Sequence, residues 1–219
     1  SPIKNLVKVP SELDDDLAVF TEPASVALHA YKIATQDRTF DTVIILGLGP
    51  IGILIASWCK LNKIKNVIGI DRNENRFKNF LDLGYNNIIN TKKDDFEEKI
   101  RKYTLQNGAE VAFECSGSEE LLNKGIQGLK KSGKIVIVSN QIKETSLSHP
   151  TLNKILRQEI QIKGSWSSVI EPHNEWEESL DMINQNKLII KNLISHHYSF
   201  SDAPHIFKSM YYKKFKYSK

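Results

Sequence analysis

The sequence predicts a doubly wound α/β fold, a parallel sheet of six strands with helices on both faces. Short apolar runs rich in β-branched residues recur along the chain, which is typical of strands buried on both faces. Apolar residues at helical spacing separate successive runs. Strands that alternate with helices favour parallel pairing, because each helix carries the chain back across the sheet.

The predicted elements follow one another in this order. A helix over 23–34 comes after an extended, acidic opening over 7–16. The strands are predicted at 42–46, 67–71, 87–90, 111–114, 134–139 and 159–164, with helices between them at 51–61, 74–83, 96–105 and 119–129. Beyond the sixth strand the spacing predicts an amphipathic segment at 176–183, a short strand after residue 193 and a helix over 202–210.

Length and composition indicate an ordinary soluble globular protein. The chain has 219 residues, of which 40% are hydrophobic and 26% charged, enough for one large domain or one domain with pieces of a neighbour. The net charge of +4 is spread among interleaved acids, which argues against a nucleic-acid partner; the densest basic cluster, Lys213, Lys214 and Lys216, is expected to be solvated. No run approaches the roughly 18 apolar residues of a membrane span. With only two cysteines we expect a cytoplasmic location.

A glycine-rich loop follows the first predicted strand and opens the next helix. Its spacing, Gly47-x-Gly49-x-x-Gly52, is informative only in this context. Gly47 lets the chain turn sharply, Gly49 leaves room for a diphosphate, and Gly52 lets the helix pack close to the sheet. The helix that begins at Pro50 and Ile51 offers its amides and positive dipole end to phosphates. The loop therefore predicts a dinucleotide site.

An acidic residue ends the second predicted strand. Asp71 follows Gly52 by 19 residues (71 minus 52), where its carboxylate can accept the hydroxyls of the adenine ribose and repel a 2′-phosphate. This favours NAD over NADP. NADP remains an alternative because Arg72 could hold a 2′-phosphate, and Arg76 could reach the ribose. Methyltransferases place a similar acid at this point, so that class also remains open.

Four segments, in order, resemble the zinc-containing medium-chain alcohol and polyol dehydrogenases. They are 22–30, 47–52, Asp71 with Arg76, and 114–117. The resemblance implies a dinucleotide-binding (Rossmann) domain over 24–190. It also implies remnants of a mostly β catalytic domain at both ends, the tail of that truncated domain at 1–23 and a return segment toward it at 191–219.

The resemblance also implies how cofactor and metal are held. Zinc would lower the pKa of the substrate hydroxyl so that hydride passes to NAD. Glu22 matches a carboxylate that reaches the zinc or its bound water, with the other zinc ligands and the main catalytic residues upstream of Ser1; a helix N-terminal acid is the alternative role. The residues implied at the cofactor are Ile51, Asp71 and Arg76, with Val138, Ser139, Trp166, Ser167 and Val26 at the nicotinamide end.

The substrate is expected to be a polyol or polyol phosphate. The segment 154–166 is most similar to enzymes that oxidise galactitol 1-phosphate to tagatose 6-phosphate. Trp166 is followed by Ser167 and Ser168, which departs from the aromatic-Arg-Tyr pattern frequent in sorbitol-type relatives. Sorbitol and threonine dehydrogenases remain alternatives, as does a non-catalytic dinucleotide-binding module. A homodimer or homotetramer, paired through the edge of the sheet, is implied by the resemblance.

The remaining titratable candidates are expected to be structural. His29 lies beside apolar residues of the first predicted helix, so we expect a packed or hydrogen-bonded histidine. His196 and His197 are adjacent and would point to opposite faces of a strand, which prevents them from binding one metal. Cys115, at a strand end, is expected to pack rather than to act as a nucleophile.

Overall fold

Six parallel strands form a single sheet in the order β3-β2-β1-β4-β5-β6. The structure is a computed structural model that describes residues 3–37, 39–141 and 144–212. The strands are β1 Thr42–Leu46, β2 Asn66–Asp71, β3 Asn87–Asn90, β4 Ala109–Glu114, β5 Leu129–Ile137 and β6 Gln161–Gly164. The predicted doubly wound fold and its six strands are confirmed. The strand order reverses between β1 and β4, which opens a crevice at the carboxyl ends of the strands.

Nine α-helices are seen in the described ranges, and most connect consecutive strands. At five helix N-termini a short polar side chain accepts a backbone hydrogen bond, so these residues mark in the sequence where the helices begin. They are Asp14, Asp95, Ser118, Ser148 and Asn174. The helices are α1 Asp15–Ala18, α2 Thr21–Thr35, α3 Pro50–Leu61, α4 Phe77–Asp82, α5 Phe96–Tyr103, α6 Glu119–Gln127, α7 His149–Gln158, α8 Glu175–Asn184 and α9 Ala203–Tyr211.

Each strand face packs against its own helix layer. Along β1, Val43 and Ile45 belong to a core shared with α2, α3 and α8, whereas Ile44 and Leu46 belong to a second core shared with α5 and α6. All four side chains are fully buried. This alternation explains why β1 has no polar face, since helices cover both sides of the sheet.

Several predicted elements differ from the structure. Helix α7 was not predicted, although Ser148 at its N-cap and a proline in its first turn are typical of a helix start. Strand β5 begins at Leu129 and ends at Ile137, earlier than the predicted 134–139. The predicted strand after residue 193 is wrong: the described residues there form short 3-10 turns and α9. Leu193 instead packs into the first core, and an apolar segment without a neighbouring strand stays irregular.

The described parts of the two terminal segments contain helices and 3-10 turns but no strand, so the expected β remnants are not visible there. Leu13 and Leu193 both pack into the first core, and the boundaries at 23/24 and 190/191 remain a prediction. Ser1 and the basic cluster of Lys213, Lys214 and Lys216 lie outside the described residues. No helix in the described ranges has the length and hydropathy needed to cross a membrane.

Candidate functional site

The glycine loop adopts the geometry that its sequence predicts. Gly47 has φ +97°, a left-handed conformation that favours glycine, and its amide donates to the Ile70 carbonyl at 2.8 Å. A Cβ at Gly47 would lie 3.1 Å from the carbonyl carbon and oxygen of Cys115. The loop after β1 therefore rests directly against the loop after β4.

Gly52 brings helix α3 against this loop. A Cβ at Gly52 would lie 2.0 Å from the Gly47 carbonyl oxygen and 3.2 Å from Ile45 Cγ2, so only glycine permits this approach. Gly49 is the N-cap of α3 and offers no side-chain hydrogen bond to the first turn, which begins with Pro50. The amides that open α3 are thus left without a side-chain cap, as an anion site at a helix start requires.

Asp71 links the glycine loop to the turn after β2. Its side chain is buried, and Oδ2 accepts from the Leu48 amide at 2.9 Å and from Arg76 Nη1 at 3.0 Å. Oδ1 accepts from the Asn73 amide at 2.9 Å. A carboxylate offers about four lone-pair positions, so Oδ1 retains room for one further donor. Arg76 and two backbone amides therefore hold the Asp71 carboxylate in place.

A cavity of about 410 Å³ lies beside Asp71, at the carboxyl ends of β2 and β3. Glu74 and Lys93 form a 2.5 Å ion pair at its edge. The lining residues are Arg72, Asn73, Glu74, Asn75, Asn90, Lys92 and Lys93.

Glu114, at the end of β4, is a fully buried carboxylate that joins two loops. Oε1 accepts from the Ser116 amide at 2.8 Å, the Ser116 hydroxyl at 2.5 Å and the Gly117 amide at 3.1 Å. Oε2 accepts from the Ser139 hydroxyl and from Gln141 Nε2, the latter at 3.2 Å. Glu114 belongs to the segment 114–117 that carries part of the family resemblance, but its role was not predicted; a lone acid ending an apolar strand was the available signal.

The residues predicted at the nicotinamide end occupy three different elements. Val138 and Ser139 follow β5, and their amides donate to the Glu114 carbonyl at 2.9 and 3.1 Å. Trp166 and Ser167 follow β6, and 78% of the Trp166 surface is exposed. Val26 is half-buried on α2. Val138 and Ser139 are thus joined to the end of β4, and the cofactor contacts of all five residues stay a prediction.

Glu22 is exposed in the first turn of α2, a position that also fits the helix N-terminal role. Among the residues described, no group of three or more histidine, cysteine or acidic side chains is arranged to hold a metal ion. A catalytic zinc usually needs three protein ligands. The described residues alone therefore do not fit a zinc centre, and the expectation that further ligands and the main catalytic residues lie upstream of Ser1 stays a prediction.

Two of the structural expectations are supported by the side-chain contacts. His29 Nδ1 lies 3.1 Å from the buried Glu175 carboxylate, which agrees with a hydrogen-bonded histidine. Burial raises the pKa of the Cys115 thiol well above its usual range, and the nearby Glu114 adds to this effect. A thiol that stays protonated is a poor nucleophile, so Cys115 fits a packing role.

The family is decided by a sequence comparison: a family model described as zinc-binding dehydrogenase matches residues 50–185. The chain belongs to this family. Membership in this family removes the methyltransferase alternative. The match covers α3 through α8, and so includes the whole crevice described above except the glycines that precede Pro50.

Individual relatives among the zinc-binding dehydrogenases point to more than one substrate. The chain is 31% identical to a sorbitol dehydrogenase of Halalkalibacterium halodurans, covering 94% of this chain and 60% of the relative. It is 26% identical to an L-threonine 3-dehydrogenase of Shewanella putrefaciens, covering 95% and 59%. The structure of Escherichia coli galactitol-1-phosphate dehydrogenase superposes with a TM-score of 0.86 at 21% identity, covering 98% and 62%. At that identity the likeness shows the fold alone, and the chain spans about 60% of these curated relatives.

Proposed function

We propose that this chain is the NAD-binding part of a zinc-dependent polyol dehydrogenase that oxidises a sugar-alcohol hydroxyl to a ketone. The observation that carries the proposal is the joint placement of the glycine loop, the uncapped start of α3 and Asp71 around one crevice. Bound NAD supplies the hydride acceptor. The chain's contribution is to fix the cofactor so that its reactive carbon meets the substrate, a positional effect worth several kcal/mol.

Different residues of the crevice hold different parts of NAD. The amides that open α3 receive the diphosphate, and Gly49 leaves them accessible. The free position on Asp71 Oδ1 accepts a hydroxyl of the adenine ribose, and the negative charge disfavours a 2′-phosphate there. Arg72 lines the neighbouring cavity and is the feature that keeps NADP as the alternative cofactor. Val138 and Ser139 border the nicotinamide end.

Glu22 is proposed as one zinc ligand within a centre completed by residues outside this chain. Because the described residues do not hold zinc by themselves, no catalytic step is assigned to the metal. Replacing Glu22 with alanine in the full-length protein should lower zinc content or turnover. Unchanged zinc content and turnover would remove Glu22 from the site and leave it as a helix N-terminal acid.

For the substrate we propose galactitol 1-phosphate, with sorbitol and threonine as the alternatives that the sequence relatives support. The similarity to a galactitol-1-phosphate dehydrogenase structure supports only the shared fold. Oxidation of these three compounds, each with NAD and with NADP, should be measured for the full open reading frame that encodes this chain. Faster turnover of sorbitol or threonine would replace the proposed substrate, and turnover of none of them would favour a non-catalytic binding module.

We further propose a cytoplasmic homodimer or homotetramer that pairs through β6. This edge strand is exposed at Ile162, and α7, which contacts α6 and β5, exposes 51% of Leu152 and 77% of Leu156. An exposed strand edge with neighbouring apolar side chains favours pairing with another copy. Sedimentation equilibrium tests this: a monomer at all concentrations would contradict it.

Cofactor binding is tested by calorimetry on the 219-residue chain. We expect the chain by itself to turn over no substrate, to bind NADH weakly and to bind NADPH more weakly still. Changing Asp71 to Asn removes the charge that disfavours the 2′-phosphate, so the preference for NADH over NADPH should shrink. If the wild-type chain binds neither NADH nor ADP-ribose, the proposed function is wrong.

A further inference from the structure

The proposed function assigns no role to the hydrogen-bond network of Glu114. Its carboxylate is fully buried, yet the groups that contact it are backbone amides, hydroxyls and the Gln141 amide. An ionised carboxylate removed from water is very costly unless hydrogen bonds replace its hydration. The two loops that supply these donors are therefore tied to one point.

The two loops lie on neighbouring strands. Glu114 pairs with Leu46 of β1 on one side and with Ile137 of β5 on the other. Its Oε1 contacts the loop that follows β4, through Ser116 and Gly117, and its Oε2 contacts the loop that follows β5, through Ser139 and Gln141, and also the Gly117 amide at 3.3 Å. The side chain thus bridges both loops, in addition to the backbone hydrogen bonds that the loop after β5 makes to the Glu114 carbonyl.

The same network reaches the glycine loop through the backbone. Cys115, which directly follows Glu114, forms the surface against which Gly47 rests. The glycine loop does not depend on the Glu114 side chain, because the Gly47 amide donates to the Ile70 carbonyl and the Leu48 amide donates to Asp71. The loop after β5 contains Val138 and Ser139, the residues proposed at the nicotinamide end.

We propose that Glu114 is a positioning residue that shapes the nicotinamide end of the cofactor site by bridging these two loops. This inference rests on the proposed function. Glu114 itself is covered by the loops, so it acts through Ser139 and its neighbours and not by contact with the cofactor. Its loss should weaken binding of the nicotinamide ring and leave the adenosine and diphosphate contacts in place.

Two substitutions show whether the length or the charge of the Glu114 side chain matters. Glu114→Asp keeps the negative charge but shortens the side chain by one methylene, so it cannot contact both loops. Glu114→Gln keeps the length: its oxygen still accepts from the Ser116 and Gly117 amides, while the Ser139 hydroxyl and the Gln141 amide can each present an acceptor to its NH₂ group. If Glu114 acts by bridging the two loops, the glutamine variant should therefore retain more of its affinity for NADH than the aspartate variant.

The test compares NADH with ADP-ribose, which ends at the ribose and lacks the nicotinamide ring, by calorimetry on the 219-residue chain. We expect Glu114→Asp to weaken NADH binding about tenfold and Glu114→Gln by no more than about threefold, taking one lost hydrogen bond to a charged group as the scale. ADP-ribose affinity should change less than about twofold in both variants. A merely structural role would lower the affinity of both ligands together.

Glu110→Gln provides a matched control, since Glu110 lies on the same strand toward its opposite end and also accepts backbone hydrogen bonds. It should leave both affinities unchanged. Parallel loss of NADH and ADP-ribose, or a glutamine variant no better than the aspartate variant, overturns the role of Glu114 alone. A wild-type chain that binds neither ligand overturns the proposed function and this inference together.

Discussion

Adding one methyl group at Gly52 tests whether α3 must lie as close to the glycine loop as the structure places it. The new Cβ would be 2.0 Å from the Gly47 carbonyl oxygen. Carbon and oxygen atoms normally approach to about 3.3 Å, so helix and loop must separate by roughly 1.3 Å. The opposing atom is backbone, and Gly47 is anchored to Ile70 by its amide, so no side-chain rotation relieves the contact.

The stability cost can be worked from two opposing effects. Overpacking a well-filled site costs typically about 1–3 kcal/mol, and a backbone clash belongs at the upper end. Alanine regains about 1 kcal/mol over glycine in a helix. We therefore expect Gly52→Ala to lower the free energy of unfolding by about 2 kcal/mol. A separation of about 1 Å also stretches amide–phosphate hydrogen bonds beyond about 3.2 Å, which should weaken NADH binding tenfold or more.

Urea unfolding followed by circular dichroism measures the first effect, and calorimetry measures the second. Gly164→Ala is the matched control because no atom lies within 4 Å of the position that its new Cβ would take, so its effect should stay within about 0.5 kcal/mol. If Gly52→Ala unfolds at the same urea concentration as Gly164→Ala and binds NADH equally well, the close approach of α3 is not a requirement.

Three further substitutions or treatments test other contacts. Lys134 is 1% exposed and donates to two carbonyls at the end of α2, so Lys134→Met should lower the free energy of unfolding by about 1–3 kcal/mol in urea; equal stability would contradict this. Burial alone raises the pKa of Glu110, but hydrogen bonds from Lys130 and two backbone amides outweigh it and lower the pKa below its ordinary 4.5. Its stabilising effect is then present above about pH 4.5 and lost as the pH falls through the lowered value, so the stability difference from Glu110→Gln should shrink in acid and would be pH-independent if the reasoning failed. Cys115 is half-buried and its pKa is raised, so it should react with a thiol reagent at pH 8 much more slowly in the folded chain than in urea, and equal rates would contradict its packing role.

The sequence predicted the sheet well because buried parallel strands leave a strong local pattern. All residues of β1 after Thr42 are fully buried, and their unbroken apolar run is visible without knowledge of the partners. Helix α7 escaped prediction for the opposite reason: only Thr151 is buried, while Leu152 and Leu156 are exposed, so its apolar spacing does not report a core-facing side. A strand was wrongly predicted after residue 193 because Leu193 packs into the core beside helices and, among the described residues, pairs with no strand.

In the candidate site, too, the features set by nearby residues could be predicted and those set by distant residues could not. The glycine spacing and Asp71 could be predicted because the left-handed turn at Gly47 and its close contact with Gly52 lie within one strand–loop–helix unit, which Asp71 follows at a regular distance. The role of Glu114 could not, because the side chains that complete its network, Ser139 and Gln141, lie 25 and 27 residues away along the chain. A motif gives the type of residue but not the donors that the fold brings to it.

The two buried carboxylates at the carboxyl edge of the sheet each accept backbone amides. Asp71 holds the glycine loop through the Leu48 amide, and Glu114 holds the loop after β4 through the Ser116 and Gly117 amides. Neither acid needs to contact the proposed diphosphate, because the uncapped amides at the start of α3 can bind it. The crevice where the strand order reverses is therefore shaped by carboxylates that bind backbone amides. Acids can therefore border the site proposed for an anionic cofactor, because much of their charge is already directed at the chain's own donors, apart from the position on Asp71 Oδ1 that is proposed for the ribose.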